Sequence, residues 1–230
     1  MNFAERCRPK VALDIGANVG LYAIPLADRL AANGRVWAFE PHPRTFERLK
    51  RHVFLNGLGN ITLVNSALGR TPGTARLTNC AWGDSGKWSL RSDREESASL
   101  EVRVDRLDRA REVLKISDVE LIKLDVEGFE PQVILGAQEV LAEDRPIVFL
   151  ELTPSWSDEH EAREALGFLD QLGYRLLRIG DLYVGSVKHP LEPSAAIDSG
   201  RQTNFVALPP TDSAWAIASA VSVARRVARE

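Results

Sequence analysis

Val11-Ala12-Leu13-Asp14-Ile15-Gly16-Ala17-Asn18-Val19-Gly20 decides how the rest of this chain is read. The apolar run Val11–Leu13, with Asp14 after it and Gly16 closing it, predicts a short buried strand. Glycines at 16 and 20 let the backbone bend sharply and let a ligand approach the start of the following helix. The turn is not GxGxxG. Asp14 would repel a pyrophosphate that a helix N-terminus otherwise attracts, and it suits a ligand carrying a positive amine. A plain strand-to-helix turn, with Asp14 bonded to nearby amides, is the alternative.

Working outward, a helix follows with Leu21, Ile24, Ala27 and Leu30 on one face, ending near Asn33-Gly34 and weakened locally by Pro25. Arg35–Phe39 reads as a second strand. Thr45 is the expected cap of a second helix whose Phe46, Leu49, Val53 and Phe54 share a face. Ile61–Val64 is a third strand. Residues 73–78 and 100–105 alternate apolar and polar, like the arms of a half-exposed hairpin around a polar stretch that holds Trp82 and Trp88. Leu121–Leu124 is a fourth strand. Pro131 opens a helix with Val133, Ile134, Ala137, Val140 and Leu141 along one stripe. Residues 147–150 form a fifth strand, 158–172 a helix, and 174–179 and 204–208 two last strands. An alanine-rich helix over 213–229 closes the chain.

Strands alternating with helices at this spacing call for an α/β fold with a mostly parallel sheet and helices on both faces. The last two strands have no helix between them, so one of them is expected to run antiparallel. The 230 residues are read as one domain, with a core over 11–210, an insertion around 73–105 and a C-terminal helix over 211–229.

Composition narrows the function. Apolar residues make up 44% and charged residues 27%, a globular balance. A net charge of −3 argues against a broad nucleic-acid footprint, which needs a basic surface. The two cysteines, Cys7 and Cys80, form no CxxC or Cys/His cluster and read as reduced thiols. No apolar run approaches the ~20 residues of a membrane helix, and the first ten residues lack the apolar segment of a secretion signal. The expectation is a soluble, cytoplasmic protein without an integral membrane part.

In an open α/β sheet, ligands bind beyond the carboxyl ends of the strands. The polar residues there are Asp14, Glu40, Ser66, Asp125 with Glu127, and Glu151. Glu40 ends the second strand, the usual place for an acid that accepts hydrogen bonds from both ribose hydroxyls of a nucleoside. Taken alone, it also reads as a solvated glutamate. A ligand with an amino-acid end, a ribose and a base fits both Asp14 and Glu40, and S-adenosylmethionine is such a ligand. A nicotinamide dinucleotide fits less well.

The segments VALDIGANVGLYA, VWAFEPHPRTFERLKRHVFLNG, VNSALG, IKLDVEGFEPQVILGA and IVFLEL resemble the FkbM family of methyltransferases, in order and spacing. The likeness runs from Val11 to Leu152, with TNFVAL near the end also similar. It implies a Rossmann-like class I methyltransferase fold with a seven-stranded sheet. It also implies methyl transfer from S-adenosylmethionine to a hydroxyl, often on a sugar or polyketide. On this chain Asp14, Gly16, Ala17, Asn18 and Gly20 would line the methionine part of the cofactor. Glu40 with Pro41 would hold the ribose, and Ser66 and Ala67 would sit by the adenine. Asp125 and Glu127 would lie at the reaction centre. Only ten residues precede Val11, fewer than the family ordinarily carries there.

A protonated alcohol is a poor nucleophile, so a base in hydrogen-bond reach is expected; Asp125 is the first candidate and Glu127 the second. Either could instead orient the sulfonium or cap the helix that Pro131 opens. A divalent metal held by Asp125, Glu127 and Glu151 is a second route, though no metal is expected. His42, His52 and His160 read as surface residues. Trp82 and Trp88 read equally as a lid over the acceptor or as packing under the hairpin. The expected partner is a small hydroxylated acceptor rather than nucleic acid, with a homo-oligomer allowed. The fourth strand ends in DVEG, not in the N/D-P-P-aromatic sequence of base methylation. A non-catalytic nucleoside-binding module and an NAD-dependent oxidoreductase are the competing readings.

Overall fold

Residues 12 to 15 are buried because parallel neighbours and helices cover their strand on both edges and both faces. In the computed structural model, residues 8–30, 32–79, 88–90, 99–152, 159–178 and 203–210 are described. That central strand is β1 (Val11–Ile15). The elements that follow are α1 (Ala23–Ala27), β2 (Arg35–Phe39), α2 (Pro43–Leu55), β3 (Ile61–Val64) and β4 (Ala67–Leu68). Next come β5 (Gly73–Asn79), β6 (Trp88–Ser89), β7 (Ser99–Asp105), α3 (Leu107–Leu114) and β8 (Leu121–Leu124). The last are α4 (Glu130–Leu135), α5 (Gln138–Glu143), β9 (Ile147–Leu152), α6 (Glu159–Gln171), β10 (Arg175–Arg178) and β11 (Thr203–Leu208).

Seven strands form one sheet in the order β10-β11-β9-β8-β1-β2-β3. Among the described residues, β11 alone runs against its neighbours in this sheet; the other pairings are parallel. This is the mostly parallel α/β sheet with one antiparallel strand that the spacing called for. Strand order reverses at β1, so the crevice at the carboxyl ends of β1, β2 and β8 is the expected binding place. Alternation splits the core. Leu13, Ile15, Trp37 and Phe39 pack with α3 to α6 on one face, while Ala12, Val36 and Ala38 pack with α1 and α2 on the other.

The expected hairpin is present, β5 and β7 pairing antiparallel, but it belongs to a second sheet of order β4-β7-β5-β6. Its seam is the parallel pair β4–β7, where Ala67 and Leu68 meet Val104 and Asp105. Helix α3 was not foreseen.

Four local expectations change. Helix α1 is one short turn and a half, and Leu21 is exposed, because Pro25 gives no N–H and its ring crowds the carbonyl four residues back. His42, not Thr45, caps α2, with Nδ1 accepting from the Thr45 N–H at 3.3 Å. Phe54 is 82% exposed, since it lies one position past Val53 and off the Leu49–Val53 stripe. The helix expected from Pro131 is two helices broken at Gly136, where a Cβ would stand 2.0 Å from the Gly69 carbonyl oxygen. Gly69 and Gly136 bring the small sheet and the main fold together backbone to backbone.

Cys7, Cys80, Trp82, the side chain of Trp88 and the helix read over 213–229 lie outside the described residues. Among the described residues no helix is long and apolar enough to cross a membrane.

Candidate active site

Gly16 starts the site. Its N–H and that of Ala17 both donate to the Phe39 carbonyl oxygen, at 3.0 and 2.9 Å, drawing the chain from β1 across the end of β2. With φ at +80° and a virtual Cβ only 1.9 Å from the Asp125 carbonyl oxygen, Gly16 lies flat on the end of β8. A side chain there would separate the two strand ends.

The carboxylate of Glu40 closes the next link. Its Oε2 accepts from the Asn18 N–H at 2.9 Å and its Oε1 from the His42 N–H at 2.8 Å. Burial pushes its pKa up to about 7, with the two amides pulling it down and Asp14 adding to the rise. A carboxylate offers about four acceptor positions, so two remain for a ligand. The amides of Gly16, Ala17 and Asn18, which a dinucleotide turn would present to phosphate, are already spent inside the protein.

Asp14 is fully buried, and the Ala23 amide beside its carboxylate does not reach well-formed hydrogen-bond geometry. Its pKa is raised, first by burial; the Lys123 ammonium and the Ala23 amide oppose this, and Asp125 reinforces it. Lys123 sits above it: its Nζ is 3.8 Å from Asp14 Oδ1, 3.0 Å from Asp125 Oδ2 and 4.5 Å from the Tyr22 ring centre. Burial favours a neutral amine, yet Asp14 and Asp125 outweigh it and the Lys123 pKa is raised. The group is an ammonium at any working pH.

Apart from Asp14, these residues face a cleft of about 140 Å³. Gly16, Ala17, Asn18, Glu40 and Pro41 line one side, and Ser66 and Ala67 line it beside the small sheet. Asp125 and Glu127 line the β8 end. Asp14 and Gly20 lie behind that wall rather than on it. Ser66 Oγ is turned to backbone, donating to Ala67 O at 2.9 Å or Arg103 O at 3.2 Å. Glu151, at the end of β9, is not in the cleft, and among the described residues no three His, Cys, Asp or Glu gather as a metal group. The carboxylates of Asp125, Glu127 and Glu151 therefore do not converge as sketched from the sequence.

His160 is exposed at the start of α6. His42 is buried and His52 half-buried, where the sequence reads both as surface residues. The first is buried in the cleft wall, and the Nδ1 of the second lies 2.8 Å from the Val19 carbonyl oxygen. Burial, then the neighbouring Arg44, lowers the His42 pKa, which favours the neutral ring. Lys123 was missed. Its signal was a lone cation in an otherwise apolar central strand, Leu121-Ile122-Lys123-Leu124.

A doubly wound sheet of this order, with an acid-lined cleft at its switch point, is a Rossmann-like methyltransferase fold. The chain belongs to the Methyltransferase FkbM domain family, whose model matches residues 14–176. It is similar to Methyltransferase 1 of Beauveria bassiana, 27% identical over 172 residues that cover 67% of this chain and 69% of that one. It is also similar to Methyltransferase sdnD of Sordaria araneosa, 24% identical over 195 residues, covering 72% and 74% of the two chains. The crystal structure of a methyltransferase FkbM from Methylobacillus flagellatus KT superposes with a TM-score of 0.51 at 16% identity. That match covers 90% of this chain but 44% of the other, so the present chain spans less than half of that protein. The protein is a methyltransferase, and membership of this family implies S-adenosylmethionine as methyl donor.

Proposed function

We propose that this methyltransferase moves a methyl group from S-adenosylmethionine to a hydroxyl of a small molecule such as a sugar or a polyketide-like product. The observation that carries the reading is Glu40. It faces the cleft with two acceptor positions unused, beside a turn whose amides are already committed. A nucleoside diol fits that carboxylate, and a pyrophosphate does not fit that turn. Bound there, S-adenosylmethionine supplies an electrophilic methyl group on sulfur.

The chain's own residues divide the remaining work. Glu40 receives the ribose hydroxyls, Gly16 to Asn18 carry the methionine end, and Ser66 and Ala67 flank the base. Asp14, behind the wall, acts on a bound ammonium through its field rather than by contact. Alignment of donor and acceptor is the first requirement and supplies roughly 7–11 kcal/mol in favourable cases. Asp125 takes the acceptor proton. Lys123 holds its Oδ2 at 3.0 Å and leaves Oδ1 for the alcohol. Such a base contributes about 10²–10⁴-fold. Glu127 lies on the same turn as the second acid.

Calorimetric titration with S-adenosylmethionine and S-adenosylhomocysteine, followed by transfer of labelled methyl to a panel of hydroxylated molecules, tests the reading. Nucleoside binding with transfer that Asp125→Asn abolishes supports it. Binding without transfer to any panel member favours a nucleoside-binding module, and binding of NAD alone refutes it.

A further inference from the structure

Among the described residues Glu130 is the most deeply buried acid after Asp14, at 1% exposure, and the proposed chemistry gives it no role. Its surroundings do. The turn between β8 and α4 carries Asp125 and Glu127, and two consecutive residues of it are left-handed, Glu127 at φ +54° and Gly128 at φ +95°. Glutamate adopts that backbone at a cost, so something must hold it. With the chain bent this way, the N–H groups of Val126 and Gly128 point to the same side. Both donate to one atom, Glu130 Oε1, at 2.9 and 3.1 Å. Converging backbone amides form a concavity that binds an anion, and the anion here is the protein's own. From the other side Ser89 Oγ, on β6, donates to the Glu127 carbonyl oxygen at 2.9 Å.

We infer that Glu130 is the positioning residue of the reaction centre: by holding the Val126 and Gly128 amides it sets the Asp125–Glu127 turn against the cleft. It touches neither cofactor nor acceptor and acts through the turn. The second oxygen, Oε2, is buried with no hydrogen-bond partner, a cost the fold bears to keep the acid in place. Burial keeps the pKa of the side chain near 7, and the three nearby amides oppose the rise. The inference rests on the proposed transfer for its kinetic consequence, but the bonds it invokes stand independently.

Two variants separate the roles. Glu130→Met keeps the bulk and removes the acceptor, while Glu130→Gln keeps one carbonyl oxygen for both amides. Amide hydrogen exchange is read at Val126 and Gly128, S-adenosylhomocysteine affinity by calorimetry, and turnover with whichever acceptor the wild-type panel selects. The expected result for Glu130→Met is lost protection at both amides and turnover down about 100-fold, the effect of a misplacement near 1 Å. Its KM for S-adenosylmethionine should stay within about threefold, because Glu40 is untouched, and Glu130→Gln should recover most of both losses. Amides that stay protected in Glu130→Met overturn the inference, as does a Glu130→Gln that fares no better than Met. Should Glu130→Met fail to fold, Glu130→Gln decides: protection lost at both amides in a variant that retains the oxygen overturns it. A wild-type protein that binds no S-adenosylhomocysteine refutes the proposed function instead, and the exchange arm still tests Glu130.

Discussion

Replacing Glu40 with alanine should cost two to four orders of magnitude in cofactor affinity. Of its four acceptor positions, Asn18 and His42 hold two, at 2.9 and 2.8 Å, so two are left for ribose hydroxyls. A hydrogen bond to a charged group is worth about 1.5–3 kcal/mol, which makes the pair about 3–6 kcal/mol. At about 1.4 kcal/mol per tenfold, Kd rises by roughly 10² to 10⁴. The amides of Asn18 and His42 stand at the cleft wall, where water can take the place of the lost carboxylate. The raised pKa adds a signature that mere loss of packing lacks. With a pKa of about 7 in the empty cleft, Glu40 must ionise to accept two hydroxyls, so binding weakens as pH falls below 7. Wild-type affinity for S-adenosylhomocysteine should therefore be about tenfold weaker at pH 6 than at pH 8. Glu40→Gln, of the same size but unable to ionise, should bind weakly at both. The assay is isothermal calorimetry at the two pH values. An alanine variant within about threefold of wild type, or a wild-type Kd indifferent to pH, refutes the assignment of Glu40 to the ribose.

Three further outcomes are expected. Gly16→Ala places a carbon against the Asp125 carbonyl oxygen at a φ of +80°; the backbone strain alone is about 1–2 kcal/mol, and calorimetry should show Tm down by at least about 4 °C with cofactor binding lost. His42→Ala removes the α2 cap, which should cost about 1 kcal/mol in urea unfolding and be regained in His42→Asn, whose side chain also caps. Glu130 holds its proton more tightly folded, with a pKa near 7, than unfolded, at 4.5, so its stabilising effect is complete below pH 4.5 and gone once pH has risen through 7. The stability of wild type relative to Glu130→Gln should then fall by up to about 3 kcal/mol between pH 4 and pH 8, as read by denaturant unfolding.

What could be read from the chain and what could not divides along the range of the interactions. Strand β1, its glycine turn and the acids at the strand ends are local features, visible as an apolar run broken by Gly16 and as polar residues where such runs stop. The sheet follows because helices of fitting length separate the strands. Lys123 was hidden because its meaning lies in two carboxylates, Asp14 on β1 and Asp125 just past β8, and one of them is more than a hundred residues away in sequence. Glu130 looked like an ordinary acid at a helix start; only the left-handed turn before it, which no composition announces, aims two amides at it. The break at Gly136 was read as helix because Val133, Ile134, Val140 and Leu141 keep the right spacing on both sides of it. What requires a glycine at the break is the backbone of Gly69 from another part of the chain, and no periodicity records that.

The meeting of Gly69 and Gly136 also says how the wall of the cleft can change over time. The small sheet meets the main fold there backbone against backbone, and beside that meeting Asp108 Oδ1, on α3, accepts from the Glu139 and Val140 amides at 3.1 and 3.2 Å. Leu77, on β5, and Leu90, just past β6, line the cavity itself. The roof is thus an exchangeable panel on a fixed frame: its inner surface can be rewritten residue by residue for a new acceptor while the two glycines keep the panel seated.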